Sequence, residues 1–173
     1  MQVRATRIAD VKLVECDQFV DHRGVFVRQW DADVWLRAGM GPFVQDNVSV
    51  SNTGVLRGLH FQIDSPQGKL IAVHTGKIFD VAVDIRPGSP TFGQWVGVQL
   101  EAGDHRQLWV PPGFAHGFYA MEGPATVHYR CTTAYDPNDQ GGIRWNDPSL
   151  GIGWPAEAPI LSDRDQKHPF IKG

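Results

Sequence analysis

The sequence predicts a mainly β fold, an antiparallel sandwich or barrel of the jelly-roll type. Short runs rich in β-branched and aromatic residues follow one another at a spacing of roughly ten residues. Glycine, proline, asparagine or aspartate bounds each run, and the chain has 19 glycines and 12 prolines. Its 173 residues are enough for one domain with a sizeable core. We therefore expect a single domain over residues 1–173, with a loop-rich tail from Asp136 onwards.

The predicted elements begin with two strands around a turn, followed by one short amino-terminal helix. Asp31 or Asp33 can cap this helix, and Gly41 can end it. Further along, VAVDI and WVGVQL alternate as the two faces of a sheet require. In chain order the elements are strand VKLVEC, turn DHRG, strand VFVRQW, helix DADVWLRAGM, and the strands FVQDNVSVS, GVLRGLHFQ, GKLIAVHTG, KIFDVAVDIR, FGQWVGVQL, RQLWVPPG, HGFYAM and ATVHYRCTTAY.

Charge and cysteine content exclude several classes of function. The formal net charge is -3, from 16 basic and 19 acidic residues, so sequence-independent binding of nucleic acid is not expected. No window is long and apolar enough to cross a membrane, and the first residues lack the apolar core of a signal peptide. Two cysteines do not make a disulfide framework. A cytoplasmic protein without membrane contact is the expectation.

Several predicted strands carry polar side chains where a core strand would be apolar. Gln45 and Asn47 are two residues apart and share a face. Arg57 and His60 are three apart, so they reach the same side only if a bulge interrupts the strand, and Gly58 is suited to one. Because so many buried hydrogen-bonding groups would be costly without a ligand, the barrel is predicted to enclose a binding cavity. Later strands add Lys69, His116, Tyr129 and Tyr135.

The residue types in this set favour proton transfer next to a carbonyl group. A histidine such as His60 titrates nearest neutrality and is the predicted base. Tyr129 can deliver a proton from the other side, and the Lys69 ammonium can stabilise an enolate oxygen. The arginines suit a phosphate or carboxylate. A carboxylate must fix the histidine tautomer, and the sequence leaves four candidates, namely Asp80, Asp84, Asp163 and Asp165.

A metal is the main competing use of this fold. PPGFAH resembles the second half of the cupin metal motif, with His116 as its ligand. The first half requires His-x-His followed by glutamate, but here Gln62 stands two residues after His60, and no glutamate occurs in the next eight positions. Two imidazoles alone make a poor catalytic zinc or iron site. We therefore expect neither a metal nor another cofactor.

Long runs of the chain resemble one known family, the nucleotide-sugar 3,5-epimerases of the cupin superfamily. These runs are DHRGVF, FVQDNVSVSNTGVLRGLHFQ, QGKLIAVHTGKIFDVAVDIRPGSPTFGQWVGVQL, RQLWVPPGFAHGF, TVHYRCTTAYDP, WNDPSLGIGWP and ILSDRD. The resemblance implies a metal-free cupin jelly roll that works as a homodimer. It also implies inversion at C3 and C5 of a dTDP-linked 4-keto-6-deoxyglucose, on the route to L-rhamnose.

The same resemblance implies roles for individual residues. The base falls on His60, the proton donor on Tyr129, the aspartate paired with the base on Asp165, and the lysine near the keto oxygen on Lys69. Arg23 is similar to a residue that reaches the ligand of the neighbouring subunit. Contacts with phosphate, sugar and nucleobase fall on Arg23, Gln45, Asp46, Asn47, Arg57, His116 and Arg164, and Tyr135 is expected to join them.

Two positions depart from the family pattern. Arg28 and Gln140 stand where the family usually has glutamate, and both are expected to touch the nucleotide end of the substrate. Replacing a carboxylate by a guanidinium reverses the charge and removes an acceptor, so these two positions leave the choice of nucleobase open. The alternatives left open are inversion of one centre only, migration of the keto group, a metal-dependent cupin enzyme, and a non-catalytic sugar-nucleotide binding protein.

Overall fold

The computed structural model describes residues 1–171 and is built almost wholly from antiparallel strands. The predicted mainly β class is confirmed, and the arrangement is consistent with a jelly roll of the cupin type. Nine strands form one sheet, and two form a separate hairpin. The strands are β1 (Gln2–Ala5), β2 (Lys12–Glu15), β3 (Asp17–Asp21), β4 (Gly24–Arg28), β5 (Gln45–Ser51), β6 (Leu56–Gln62), β7 (Lys69–Asp84), β8 (Trp95–Glu101), β9 (Arg106–Val110), β10 (Phe114–Cys131) and β11 (Gln140–Gly142).

Two long strands organise the sheet, because each pairs with several neighbours along its length. β10 pairs with β5, β6 and β7, while β7 also pairs with β8 and β9. Each of the two was predicted as a pair of shorter strands, and that division is wrong. Gly76 and the Gly123–Pro124 segment resemble breaks in the sequence, but there the β7–β10 register shifts and pairing continues on both sides.

The amino-terminal hairpin of β3 and β4 stands apart from the main sheet. The two strands pair around the predicted turn, with Asp21 opposite Gly24. The prediction missed β3 as a separate strand. The helix α1 (Ala32–Arg37) follows, and the Asp31 side chain caps it by accepting a hydrogen bond from Val34 N. It ends earlier than predicted, because Gly39 already has a left-handed backbone with φ +74.

Strand β6 contains the bulge predicted at Gly58. His60 lies opposite His116 on β10, and Arg57 lies opposite Phe118, so β6 has one extra residue between these pairs. A Cβ atom on Gly58 would lie 2.6 Å from the Gly117 Cα. Only glycine therefore allows the backbones of β6 and β10 to approach so closely at this point.

The interior is filled by apolar side chains on the inward faces of the strands. The largest cluster gathers residues such as Ile71, Leu108 and Val127 from β7, β9 and β10. A second cluster around Leu59 and Val81 lies beneath the carboxy-terminal tail, which was predicted to be irregular but contributes β11 to the edge of β6. No helix within residues 1–171 has the length and apolar character needed to span a membrane.

Candidate active site

Two adjoining cavities open in the sheet, with volumes of about 310 and 470 Å³. His60, Lys69, Tyr129 and Arg164 line both of them. The two cavities are therefore parts of one cleft, and three of the four predicted catalytic side chains lie where they meet. Asp165, the fourth, lines the larger cavity.

His60 and Asp165 form a hydrogen-bonded pair at this junction. His60 Nε2 lies 2.5 Å from Asp165 Oδ1, although the two residues are 105 positions apart in the chain. The short 3₁₀ helix Asp165–Lys167 brings the carboxylate against β6. Burial alone would raise the pKa of Asp165, but the hydrogen bond and charge of His60 outweigh it and hold this pKa below its usual range. Of the four candidate aspartates, Asp165 is thus the one that is hydrogen-bonded to His60.

A second histidine–aspartate pair lies deeper in the larger cavity. His116 Nε2 is 2.5 Å from Asp80 Oδ1, and both side chains are buried. The two pairs are neighbours, because His116 on β10 is directly opposite His60 on β6. Asp80 was one of the predicted partners of His60, but its side chain is hydrogen-bonded to His116 instead.

Burial shifts the side-chain pKa values of both Lys69 and Tyr129. Burial lowers the pKa of the Lys69 ammonium, and the nearby Cys131 and Asp80 oppose this shift. Burial raises the pKa of the Tyr129 hydroxyl, with a further contribution from Cys131. The tyrosine therefore keeps its proton near neutral pH, as a proton donor must. Cys131 is opposite Lys69 in the β7–β10 ladder and lines the smaller cavity.

The smaller cavity has an ordered polar wall. Gln45 Nε2 donates to Asn47 Oδ1 at 2.9 Å, as expected for two residues on one face of β5. The backbone N–H of Tyr135 donates to Gln45 Oε1 at 2.7 Å, which fixes the orientation of the Gln45 amide. Tyr135 and Gln140 also line this cavity.

Two of the predicted arginines, Arg57 and Arg164, line the larger cavity. Arg57 lies beside the His116–Asp80 pair and donates through Nε to Ser51 Oγ at 2.9 Å. Arg164 reaches both cavities, so two guanidinium groups lie around the cleft. Ser49, which the sequence did not single out, also lines this cavity, and its buried hydroxyl has no hydrogen-bond partner among the described residues.

Three predicted contact residues lie outside the cleft. The Asp46 side chain is on the outer face of β5, where it pairs with Arg130 and His128 at 3.3 Å, so its position does not support the predicted ligand contact. Arg23 and Arg28 are on the β3–β4 hairpin and line neither cavity. The Arg23 side chain forms an ion pair only with Asp21, within residues 1–171.

Comparison with known proteins identifies the family. The profile of the family described as dTDP-4-dehydrorhamnose 3,5-epimerase matches residues 5–173. The chain belongs to this family. It is 49% identical over 170 residues to the dTDP-4-dehydrorhamnose 3,5-epimerase of Pseudomonas aeruginosa, covering 95% of this chain and 94% of that protein. The Neisseria gonorrhoeae relative is 48% identical over 168 residues, which cover 95% of this chain but 51% of that longer protein.

Solved structures of family members have the same fold. The Legionella pneumophila epimerase in complex with dTDP-4-keto-L-rhamnose superposes with a TM-score of 0.94 at 46% identity, covering 98% of this chain and 92% of that one. A 3'-monoepimerase from Streptomyces bikiniensis in complex with dTDP-quinovose gives a TM-score of 0.88 at 34% identity, covering 96% and 86%. The family fold therefore supports inversion of either one or two centres.

Proposed function

We propose that the chain converts dTDP-4-dehydro-6-deoxy-D-glucose into dTDP-4-dehydro-L-rhamnose by inverting C3 and C5. The observation that carries this proposal is the His60–Asp165 pair, held at 2.5 Å where the two cavities meet beside Lys69 and Tyr129. A ketone at C4 acidifies the protons on both neighbouring carbons, so the substrate itself provides the activation. For this reason the reaction needs neither a metal nor a redox cofactor.

In the proposed first step, His60 removes the proton next to the ketone. Since His60 Nε2 faces Asp165, the other ring nitrogen, Nδ1, is available to a substrate. Asp165 fixes the tautomer in which Nε2 carries the proton, and it stabilises the imidazolium that forms when Nδ1 accepts a second proton. Asp165 thus orients the base without touching the sugar.

The enolate that results needs a positive neighbour and a proton donor. The Lys69 ammonium, which lines both cavities, meets the first need, because a positive charge placed next to a developing oxyanion stabilises it. Tyr129 is the proton donor, because its raised pKa keeps the hydroxyl protonated. His60 removes one proton from the carbon and Tyr129 donates its own hydroxyl proton to the opposite face of the ring, which inverts the carbon; both side chains then exchange protons with solvent.

The remaining side chains of the cleft are suited to the nucleotide. Arg57 and Arg164 provide guanidinium groups for the diphosphate, and His116 provides a further polar contact near the sugar. Gln45 and Asn47 present an ordered amide pair in the smaller cavity, where the nucleoside would lie. Asp46 is omitted from this set because it faces outward.

We also propose that the protein is a homodimer in which Arg23 enters the cleft of the neighbouring subunit. The β3–β4 hairpin pairs with no other strand in the described part of the chain. Its apolar side chains are open to solvent in the single protomer: Phe19 is 51% exposed, Val20 76% and Phe26 68%. Such a surface favours association with a second copy. This arrangement would also bring Arg28, on the same hairpin, close to the neighbour's nucleotide.

Turnover in deuterated water tests the reaction. The chain is incubated with dTDP-4-dehydro-6-deoxy-D-glucose, and the deuterium at each carbon of the product is counted by NMR. Double inversion predicts one deuterium at C3 and one at C5, with the L-rhamno configuration. In His60→Ala, exchange should be lost at both carbons while nucleotide binding is kept. Full exchange in that variant would remove His60 from the role of base.

Inversion of a single centre is the second candidate, favoured by the 34% identity with a 3'-monoepimerase of the same fold. The same NMR experiment separates the two, since a single-centre enzyme leaves deuterium at one carbon only. CDP- and UDP-linked substrates test whether Arg28 and Gln140 alter the choice of nucleobase. A single domain and a cytoplasmic location remain predictions from the sequence.

A further inference from the structure

A third ionisable side chain, His168, lies behind the His60–Asp165 pair. Its Nε2 is 3.4 Å from Asp165 Oδ1, the same oxygen that receives the hydrogen bond from His60. The residue is only 8% exposed, and its Nε2 has no well-formed hydrogen bond among the described residues. A buried nitrogen with a free lone pair or proton is therefore directed towards the carboxylate.

The surrounding backbone holds the His168 ring in this place. A Cβ atom on Gly142 would lie 2.2 Å from the ring, so the glycine provides the space that the imidazole fills. Gly142 in turn is paired with His60 across the β6–β11 ladder. The backbone on either side is fixed as well, because Arg144 Nε donates to His168 O at 3.0 Å and Arg144 N donates to Pro169 O at 2.8 Å.

We propose that His60, Asp165 and His168 together form a zinc-binding site. One ligand atom of each residue lies within 4.8 Å of the other two. Tetrahedral zinc, with bonds of about 2.0–2.1 Å, places neighbouring ligand atoms about 3.3 Å apart. The separation of 3.4 Å between His168 and Asp165 already matches this value. The separation of 2.5 Å between His60 and Asp165 would have to widen by about 0.8 Å as the ion replaces the proton between them.

The donor set indicates which ion is bound. Two imidazole nitrogens and one carboxylate oxygen suit zinc, whereas magnesium and calcium prefer oxygen ligands throughout. The fourth position of the ion would open to the larger cavity, which His60 and Asp165 line. Three protein ligands with a fourth position left for water or substrate are a coordination pattern that zinc adopts in enzymes.

Zinc bound here would inhibit the enzyme, and this consequence rests on the proposed function. The ion would occupy Nε2 of His60 together with the Asp165 oxygen that orients it. His60 would then lose the carboxylate that stabilises its imidazolium, and could no longer serve as the base. His168 lines neither cavity, so its removal should relieve inhibition and leave turnover without zinc unchanged.

Zinc affinity can be measured without any substrate, by competition with a chromophoric chelator. The wild-type chain should bind one equivalent per protomer. His168→Phe, which keeps a ring in the space beside Gly142, should bind at least about 100-fold more weakly, since even outer-shell changes cost 10–100-fold. His168→Gln is the second variant, in case the phenylalanine disturbs the fold, which circular dichroism would reveal.

His74→Ala is the matched control. His74 is an exposed histidine whose ring lies 5.5 Å from that of His128, beside Asp46, so this variant tests for non-specific zinc binding at surface histidines. Loss of the single zinc equivalent in this control, or undiminished affinity in both His168 variants, would overturn the proposed site.

Activity gives the second readout. Added zinc should stop wild-type turnover, EDTA should restore it, and His168→Phe should remain active at the same zinc concentration. Stoichiometric binding at the site with unchanged turnover would refute the inhibition. Zinc binding that depends on His168, in a chain that turns over no nucleotide sugar, would instead contradict the proposed function and leave the zinc site standing.

Discussion

Replacing Gly58 by alanine tests the connection between the β6 bulge and the active site. The new Cβ would lie 2.6 Å from the Gly117 Cα and 2.8 Å from the His116 carbonyl oxygen. Both contacts are backbone atoms of β10, and non-bonded carbons normally approach to about 3.5 Å. The two strands must therefore separate by about 1 Å. His60 and His116 would move with them, because they face each other two residues beyond the bulge.

The expected loss of stability has two parts. Overpacking in a tight interior costs about 1–3 kcal/mol. Holding an alanine at φ +123 costs about another 1–3 kcal/mol. Gly103→Ala is the matched control: its φ is +87, and a Cβ there meets nothing within 4 Å, so only the backbone cost applies. The difference between the two variants should therefore be about 1–3 kcal/mol, a large share of a typical total of about 5–15 kcal/mol.

Urea unfolding followed by circular dichroism gives the two free energies of unfolding, and initial rates give kcat/KM. A displacement of about 1 Å at catalytic side chains can reduce the rate about 10²-fold, so Gly58→Ala should lose activity even where it is folded. Equal stability of the two variants, together with full activity of Gly58→Ala, would refute the role assigned to the bulge.

Three further predictions concern the active site. Tyr129→Phe should still release the substrate proton to solvent but fail to complete inversion, and normal product from this variant would assign the proton donor elsewhere. Since the pKa of Asp165 is lowered in the folded chain, its contribution to stability is present above its ordinary value of 3.8 and is lost as pH falls. Urea midpoints should therefore fall more steeply on acidification in the wild type than in Asp165→Asn; parallel curves would contradict this. Mixing inactive Arg23→Ala and His60→Ala chains should restore about a quarter of wild-type activity, because half of the dimers are mixed and each has one intact site; no recovery would place Arg23 in its own subunit's cleft.

Strand content was predictable from the sequence, but strand continuity was not. Alternation and turn residues identified most of the segments that pair as strands, but not β1, β3 or β11. Gly76 and the Gly123–Pro124 segment look like chain reversals, and only the pairing of β7 with β10 on both sides shows that the strands continue. β11 was missed because its sequence, QGG, has no strand signal. Its glycines are required by close neighbours: a Cβ on Gly141 would lie 2.4 Å from the Phe61 ring.

The residues that line the candidate site were predictable as a group, and their pairing was not. Polar side chains on apolar strands indicated His60, Lys69 and Tyr129. Sequence distance gives no means of choosing among the aspartates, and only the resemblance indicated Asp165. Folding assigns one aspartate to each histidine, with Asp80 on His116. No signal in the sequence indicated His168, because its contact with Asp165 depends on the space beside Gly142.

The long strand β10 limits how the same cleft can invert both C3 and C5 of the sugar. It carries His116 near one end and Tyr129 near the other, and it is hydrogen-bonded to β5, β6 and β7. His60 is fixed to the same strand through β6. The proposed base, His60, and the proposed acid, Tyr129, thus lie on paired strands of one sheet. They cannot exchange places between successive reactions. We infer that, after the first inversion, the sugar ring itself must turn or slide to present its second carbon to an unmoving pair of side chains.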